Sequence, residues 1–326
     1  MKRKILTMLR SGEEYVSGQQ ICNQLGVSRT AVWKAVNSLK TEGYEIEAVQ
    51  NKGYHLVSAP DVLTEAEIGS RRRDRWRDAP LYTYDVTDST NNRIRQLVET
   101  GAPEGTLAVA DVQTGGKGRR GRHWETPAGI AIAMSFALKP SFTPDKASMI
   151  TLIAAMACSH AVEELTGQRA MIKWPNDLVL NRRKITGILT EMILEEDYIQ
   201  QIIVGIGFNM HQEDFPEELA EKATSIFMET GVRYSRAELV CLVMKYFADY
   251  YEIFERTGDL AFLQDEYNER LVSAGEEVRI LSPGETKTGF CIGINETGGL
   301  LVKDASGDVE EVTAGEVSVR GLYSYI

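Results

Sequence analysis

Apolar positions in the first 60 residues recur at helical spacing and then alternate. Ile5, Met8 and Leu9 share one face of a helix predicted over roughly Lys2 to Ser11. Ser17 with Gln20 three residues on is a capping box, so a second helix opens there, with Ile21 and Leu25 inward. Gly26-Val27-Ser28 is the tight turn of a helix-turn-helix pair. Ser28 caps a third helix reaching about Thr41, in which Val32, Ala35, Val36 and Leu39 fall at i, i+3, i+4 and i+7. Tyr44 to Val49 and Tyr54 to Val57 flank Asn51-Lys52-Gly53 and predict a hairpin, a wing beside the helices.

Beyond Ala59-Pro60-Asp61 a helix starts at Thr64, and the Arg71-Arg72-Arg73-Asp74-Arg75 run reads as its solvated face. Strands and helices then alternate. Leu81 to Asp85 is a strand, Asn91 to Glu99 a helix capped by Asp88 or Ser89, and Thr106 to Val112 a strand. Ile130 to Leu138 is an apolar strand and Ser148 to Leu165 a buried helix. Met171 to Leu180 reads as two apolar strand halves around a Trp174-Pro175-Asn176-Asp177 kink. Strands follow at Arg183 to Met192 and at Gln201 to Asn209, the latter ending in Gly205 and Gly207, where a ligand can lie against backbone or where a bulge can form. Residues 234–270 read as helical, with Leu239, Val240, Leu242, Val243, Tyr246, Phe247 and Tyr250 buried. From Gly275 short strands alternate with glycine turns, the pattern of a small SH3-like barrel.

Charge changes this picture at one end. The net charge of −11 argues against general nucleic-acid binding. Residues 1–60, however, hold eight Lys or Arg and five Glu, a net +3, which leaves −14 for the rest. Arg29, Thr30, Trp33, Lys34 and Asn37 occupy the open face of the third helix, with Ser28 at its start and Lys52 in the wing. These are side chains that a recognition helix and wing offer to bases and phosphates. The plainer alternative is a small helical module for protein contacts. Four scattered cysteines with no C-x-x-C pair fit a reduced cytoplasm, without zinc or disulfides. No signal peptide and no transmembrane run is apparent.

Candidate chemistry concentrates between Gln113 and Trp124, where four glycines and four cations fill Gly115 to Arg122. Glycine allows close approach of backbone to ligand, and arginine offers a planar donor fork to phosphate or carboxylate. The Gly116-x-Gly118-x-x-Gly121 match is not a dinucleotide fingerprint, because Pro127 and Gly129 argue against the helix that must follow. It is not a Walker loop either, since Gly follows Lys117. By itself the stretch is equally a ligand-ordered loop or a solvated basic one. Ser89, Thr90 and Asn91 at a helix start, Lys173, Asn176, Asp177, Lys184 and the Gly205-x-Gly207 strand end add a polar pocket.

Five motifs in one order carry a resemblance: Asp88-Ser89-Thr90-Asn91, Gly116 to Trp124, Lys173 to Asp177, Arg183 to Leu189 and Gly205 to Asn209. The whole chain resembles the bacterial bifunctional biotin–protein ligase and biotin operon repressor family. One departure is Lys117, where that family's loop usually has Arg. The resemblance implies an α+β multi-domain fold. A winged helix-turn-helix (1–62) would precede a mixed-sheet ligase domain of the class II synthetase type (63–272) and an SH3-like domain (273–326). Biotin and ATP, with Mg²⁺, would give biotinyl-5′-AMP, and an acceptor lysine on a biotin carboxyl carrier protein domain would take the biotin. Biotin would be held by Ser89, Thr90, Asn91, Gln113, Lys117, Gly118, Arg119, Lys184, Gly205 and Gly207. ATP would be held by Arg122, Trp124, Lys173, Asn176, Asp177 and Asn209, with Asp177 as metal ligand and Lys184 and Arg119 catalytic. The adenylate-bound homodimer would bind the biotin operator. A sensing repressor without ligase activity, a lipoate ligase, and a ligase with a vestigial DNA module are the competing readings.

Overall fold

The computed structural model describes residues 1–11, 14–196, 198–282, 285–313 and 318–321. Residues 314–317 and 322–326 of the predicted C-terminal domain lie outside that set. Helices α1 (Lys2–Leu9), α2 (Gly18–Leu25) and α3 (Arg29–Thr41) and strands β1 (Glu45–Val49) and β2 (Gly53–Ser58) form the N-terminal module. The Ser17–Gln20 capping box is present in both directions, and Gly26 closes α2 in the left-handed conformation. Ile5, Ile21, Val32, Val36 and Leu39 make its core, as their spacing predicts, joined by Leu6, while Leu25 is only partly buried.

Helix α4 (Glu65–Arg71) leads into the central unit: β3 (Leu81–Thr87), α5 (Thr90–Glu99), β4 (Leu107–Gln113), β5 (Ala131–Leu138), α6 (Ala147–Thr166), β6 (Met171–Lys173), β7 (Asp177–Leu180), β8 (Arg183–Glu195) and β9 (Tyr198–Asn209). These strands form one seven-stranded sheet ordered β3-β4-β5-β9-β8-β7-β6. Only β3 and β4 run parallel, because α5 carries the chain across between them. On one face Ile94 of α5 packs on Ala108, Ala137 and Ile203; on the other lies the main core, with α6 and α9. With both faces covered, β5 is buried at every residue. Helices α7 (Glu217–Ala220), α8 (Ile226–Thr230), α9 (Arg236–Thr257) and α10 (Ala261–Arg270) follow. Strands β10 (Glu277–Ser282), β11 (Glu285–Ile294), β12 (Leu300–Lys303), β13 (Val309–Val312) and β14 (Ser318–Gly321) then form a five-stranded antiparallel sheet ordered β13-β12-β11-β10-β14.

Four expectations change. Met171 to Leu180 is not one kinked strand: β6 and β7 pair antiparallel around Trp174 to Asn176, with Lys173 opposite Asp177. Residues 234–270 break at Gly258, which adopts φ +76°, so two helices stand there, and Leu242, Tyr246 and Tyr250 are only partly buried. The segment Pro144–Thr166 is long and apolar enough to span a membrane, yet Ile150, Ile153, Met156 and Val162 are buried in the core. The arginine run is a solvated face only in part, at Arg73 and Arg75. Arg72 makes a bidentate, fully buried pair with Asp74, and Arg75 bonds Glu255 at 2.7 Å while lying over the Trp76 ring. All four cysteines are buried and unpaired.

The N-terminal module is seated on the central unit through Glu67, whose side chain is 0% exposed. Both its oxygens accept from Arg10 at 2.8 Å, Arg71 donates at 2.7 Å and the Tyr44 hydroxyl at 2.8 Å. Burial alone would raise the Glu67 carboxyl, but Arg10 and Arg71 outweigh it and hold it below 4.5. Glu67→Gln therefore leaves Arg10 without its carboxylate partner and Arg71 with Glu238 alone. The expected loss is about 2–3 kcal/mol at pH 7, below the value for a fully buried pair because Arg10 and Arg71 reach solvent. A depressed carboxyl stabilises above its unfolded pKa and ceases to as pH falls through its folded one. Denaturant melts should show the gap between mutant and wild type closing below pH 4.5.

Candidate active site and nucleic-acid interface

An open cleft lies over β8 and β9 at the start of α5. Of the predicted ligand residues, the structure brings Ser89, Thr90, Asn91, Gln113, Lys117, Gly118, Arg119, Arg122, Trp124, Lys173, Asn176, Asp177, Lys184, Gly205 and Gly207 into its lining. Asn209 is not there. Its amide donates to the Thr224 and Lys184 carbonyls and accepts from Gln212, behind the cleft. Ile188 and Leu189, from the Arg183 to Leu189 motif, also line it, as does Val319, which carried no signal in the sequence. Val319 belongs to the C-terminal sheet, which also accepts a 3.1 Å bond from Trp174 at the Gly298 carbonyl and so steadies the turn after Lys173.

One end of the cleft is neutral and tightly hydrogen-bonded. Gln113 accepts from the Thr90 backbone N–H at 2.7 Å, Thr90 and Ser135 hydroxyls meet at 2.6 Å, and Ser135 donates to Asn91 at 2.6 Å. Asn91 in turn donates to Glu191 at 2.6 Å, and Arg95 bonds the same carboxylate. Ser89 sits at the N-cap of α5 without a side-chain cap bond. A Cβ on Gly205 would stand 2.1 Å from Asn91 Oδ1, and one on Gly207 2.4 Å from the Trp124 ring. Both glycines are thus required by close approach rather than by a bulge.

The other end is cationic. Arg119 donates to Asn176 at 3.0 Å, Asn176 to Asp177 at 3.2 Å, and Lys184 Nζ to Asp177 at 2.6 Å while standing 5.4 Å over the Trp124 ring. Asp177 is the single carboxylate among the described lining residues. No group of three or more His, Cys, Asp or Glu able to hold a metal occurs among the described residues. A divalent ion would therefore have to arrive with ligand oxygens of its own, with Asp177 as its one protein carboxylate. Lys173 is 8% exposed. Burial pushes its ammonium down to about 7; Asp177 opposes this, while Lys184, Arg320 and Arg122 add to it. Burial also lowers the Arg119 guanidinium. The glycine-arginine loop is ordered as a small hairpin, with Lys117 bridged to His123 and Arg120 left-handed at φ +60°.

On the N-terminal module Ser28, Arg29, Thr30, Lys34 and Lys52 are exposed, as is Trp33 at 57%. Asn37 is half-buried. The Ser28 hydroxyl caps α3 at Ala31, Arg29 bonds Gln19 at 2.9 Å, and Lys52 lies over Tyr15.

Residues 83–209 match the biotin/lipoate A/B protein ligase family, residues 2–55 an HTH domain, and residues 274–320 the biotin protein ligase C terminal domain. The chain is 39% identical over 302 residues to the bifunctional ligase/repressor BirA of Bacillus subtilis strain 168, covering 91% of this chain and 92% of that one. It is 28% identical over 328 residues to the BirA of Escherichia coli strain K12, covering 97% and 96%. The biotin protein ligase from Aquifex aeolicus, solved in complex with biotin and ATP, superposes with a TM-score of 0.65 at 32% identity over 74% of this chain and 99% of that one. The chain belongs to the bifunctional biotin ligase/repressor family.

The depressed Lys173 gives a stability prediction. Its folded value near 7 lies below the unfolded 10.5, so burial of the ammonium costs nothing above pH 10.5 and most below pH 7. Lys173→Met should raise the stability of the ligand-free protein by on the order of 2 kcal/mol at pH 6. Paired thermal melts at pH 6 and pH 10 should show that gain shrinking at the higher pH.

Proposed function

We propose that this chain joins biotin to ATP in the cleft, passes the biotin to a lysine of a carboxyl carrier domain, and represses biotin operon transcription through its winged helix. The observation that carries the ligase reading is the division of one cleft into a neutral hydrogen-bonding end and a cationic end. The neutral end, from Ser89, Thr90 and Gln113 to Gly205 and Gly207, suits the ureido ring and aliphatic chain of biotin. The cationic end suits a triphosphate.

In the first step a biotin carboxylate oxygen attacks the α-phosphorus of ATP. A P–O bond to the acyl oxygen forms, the bond to the bridging oxygen breaks, and pyrophosphate leaves. In the second the acceptor ε-amine attacks the acyl carbon, AMP leaves and the amine loses its proton. No nucleophile from the protein is needed. Catalysis is positioning plus neutralisation of developing charge. Lys184 and Arg119 serve the carboxylate–phosphate junction. Lys173, Arg122 and Asn176 serve the outer phosphates, and Trp124 the adenine. Mg²⁺ travels on the phosphates, with Asp177 as its one protein carboxylate. Asn209 shapes the floor behind the adenine through Thr224 and Lys184. The first test is incorporation of labelled biotin into a carrier domain with ATP and Mg²⁺; labelling is expected, and its absence alongside ligand-dependent DNA binding would leave a sensing repressor.

Lys184→Ala should lower biotin-dependent pyrophosphate release by at least about 100-fold with the melting temperature unchanged within a few degrees, because the barrier loses a preorganised cation. Release at the wild-type rate would remove Lys184 from the chemistry.

For repression, the adenylate packs against the Gly115–Arg122 hairpin, holds it closed over the cleft and favours a two-fold homodimer, which presents two α3 helices to a palindromic operator. Operator affinity should rise at least about tenfold when biotin and ATP are present and fall steeply with salt, as phosphate contacts require. Equal gel-shift affinity with and without the two ligands would refute the coupling.

A further inference from the structure

Glu229 lies outside the cleft lining, on the short helix α8, yet its side chain is only 6% exposed. Its carboxylate gathers three donors from two separate segments. Asn181 Nδ2 donates from the turn between β7 and β8, and Arg183 Nη2 donates at 2.6 Å from the start of β8. Thr224 Oγ1 donates at 2.5 Å from the stretch that precedes α8. Lys184 stands between these two anchor points.

The β7–β8 pairing slips by one residue there: Leu178 faces Thr186, but Val179 faces Lys184, so Ile185 is extra. Such a bulge re-aims the neighbouring side chain and takes backbone groups out of the ladder. The Lys184 N–H is satisfied by the Lys222 carbonyl at 2.8 Å, and the Lys184 carbonyl by the Thr224 N–H at 2.9 Å. The adjoining turn holds Asn181 at φ +45° and Arg182 at φ +63°, the two positive values that a two-residue hairpin loop needs, one of them on a residue ill suited to it. Glu229 therefore ties a strained turn on one side of Lys184 to the segment that holds the Lys184 backbone on the other. We infer that Glu229 is a positioning residue for Lys184: it fixes the bulge that aims the Lys184 ammonium into the cleft. This rests on the proposed role of Lys184 in adenylation.

The test is a double-mutant cycle on single-turnover adenylate formation with biotin, ATP and Mg²⁺ saturating. Glu229→Ala should slow the step about 10- to 100-fold, as misplacement on the order of 1 Å does. In a Lys184→Ala background the same change should add less than about threefold, because a residue that acts only through Lys184 has nothing left to position. Glu229→Gln, which keeps the volume and one accepting oxygen, should fall between wild type and Glu229→Ala; if Glu229→Ala does not fold, Glu229→Gln carries the same cycle. Losses that multiply in the double mutant, or a Glu229 variant at the wild-type rate, would overturn the inference and leave the role of Lys184 standing. A Lys184→Ala protein as fast as wild type would instead remove the reading beneath it.

Discussion

The cleft gathers positive charge around a single counter-ion. Lys173, Lys184, Arg119 and Arg122 face Asp177, and Arg320 adds its field from the C-terminal sheet. Like charges at such range repel, and burial makes each more costly to keep ionised. The depressed Lys173 ammonium shows that cost directly. A polyanion relieves the repulsion, and the favourable energy of doing so is available to align the reacting atoms. Asp177 restrains Lys184 until then, through one 2.6 Å bond that a phosphate oxygen can replace.

The same economy of partners governs the junction to the DNA module. Asp61, in the linker, accepts from the backbone and guanidinium of Arg236, and Arg236 reaches Asp111 and the Ala131 carbonyl. Asp111 lies near the end of β4 and Ala131 at the start of β5, so the two stems of the ligand loop and the linker share one buried arginine. With Glu67, and with Arg3 donating to the Gly69 carbonyl at 3.2 Å and the Arg77 carbonyl at 2.6 Å, charged side chains tie the module down at several points. A rigid seat matters because half-site spacing on DNA is a geometric quantity.

Much of this was legible from residues. Helical spacing and the capping box placed α1 to α3, and the glycine pair of β9 sat where another side chain needed its space. The motif order located nearly every group that the cleft assembles. What failed turns on side-chain pairing and chain reversal, which periodicity does not report. Arg72 looked solvated because five charged residues in a row usually are, but its bidentate pair with Asp74 takes it inside, while Arg71 and Arg75, less buried, are tied by Glu67 and Glu255. Trp174 to Asn176 looked like a kink because a three-residue reversal and a bent strand share the same apolar flanks. Asn209 at the end of β9 is outside the cleft lining, its amide bonded to Thr224 and Gln212.

Glu229 marks the limit of such reading. On a five-residue helix after a polar loop, one glutamate among several carries no periodicity and no motif. Its meaning comes from the bulge at Ile185, which no spacing rule announces, and from the backbone bonds that Lys184 makes with Lys222 and Thr224. A cation aimed at a forming bond must be held to within a fraction of an ångström. A lysine on a flexible stem cannot supply that precision itself, so it has to come from its backbone. In this chain that backbone is gripped between a strained turn and a loop, and one buried carboxylate holds both.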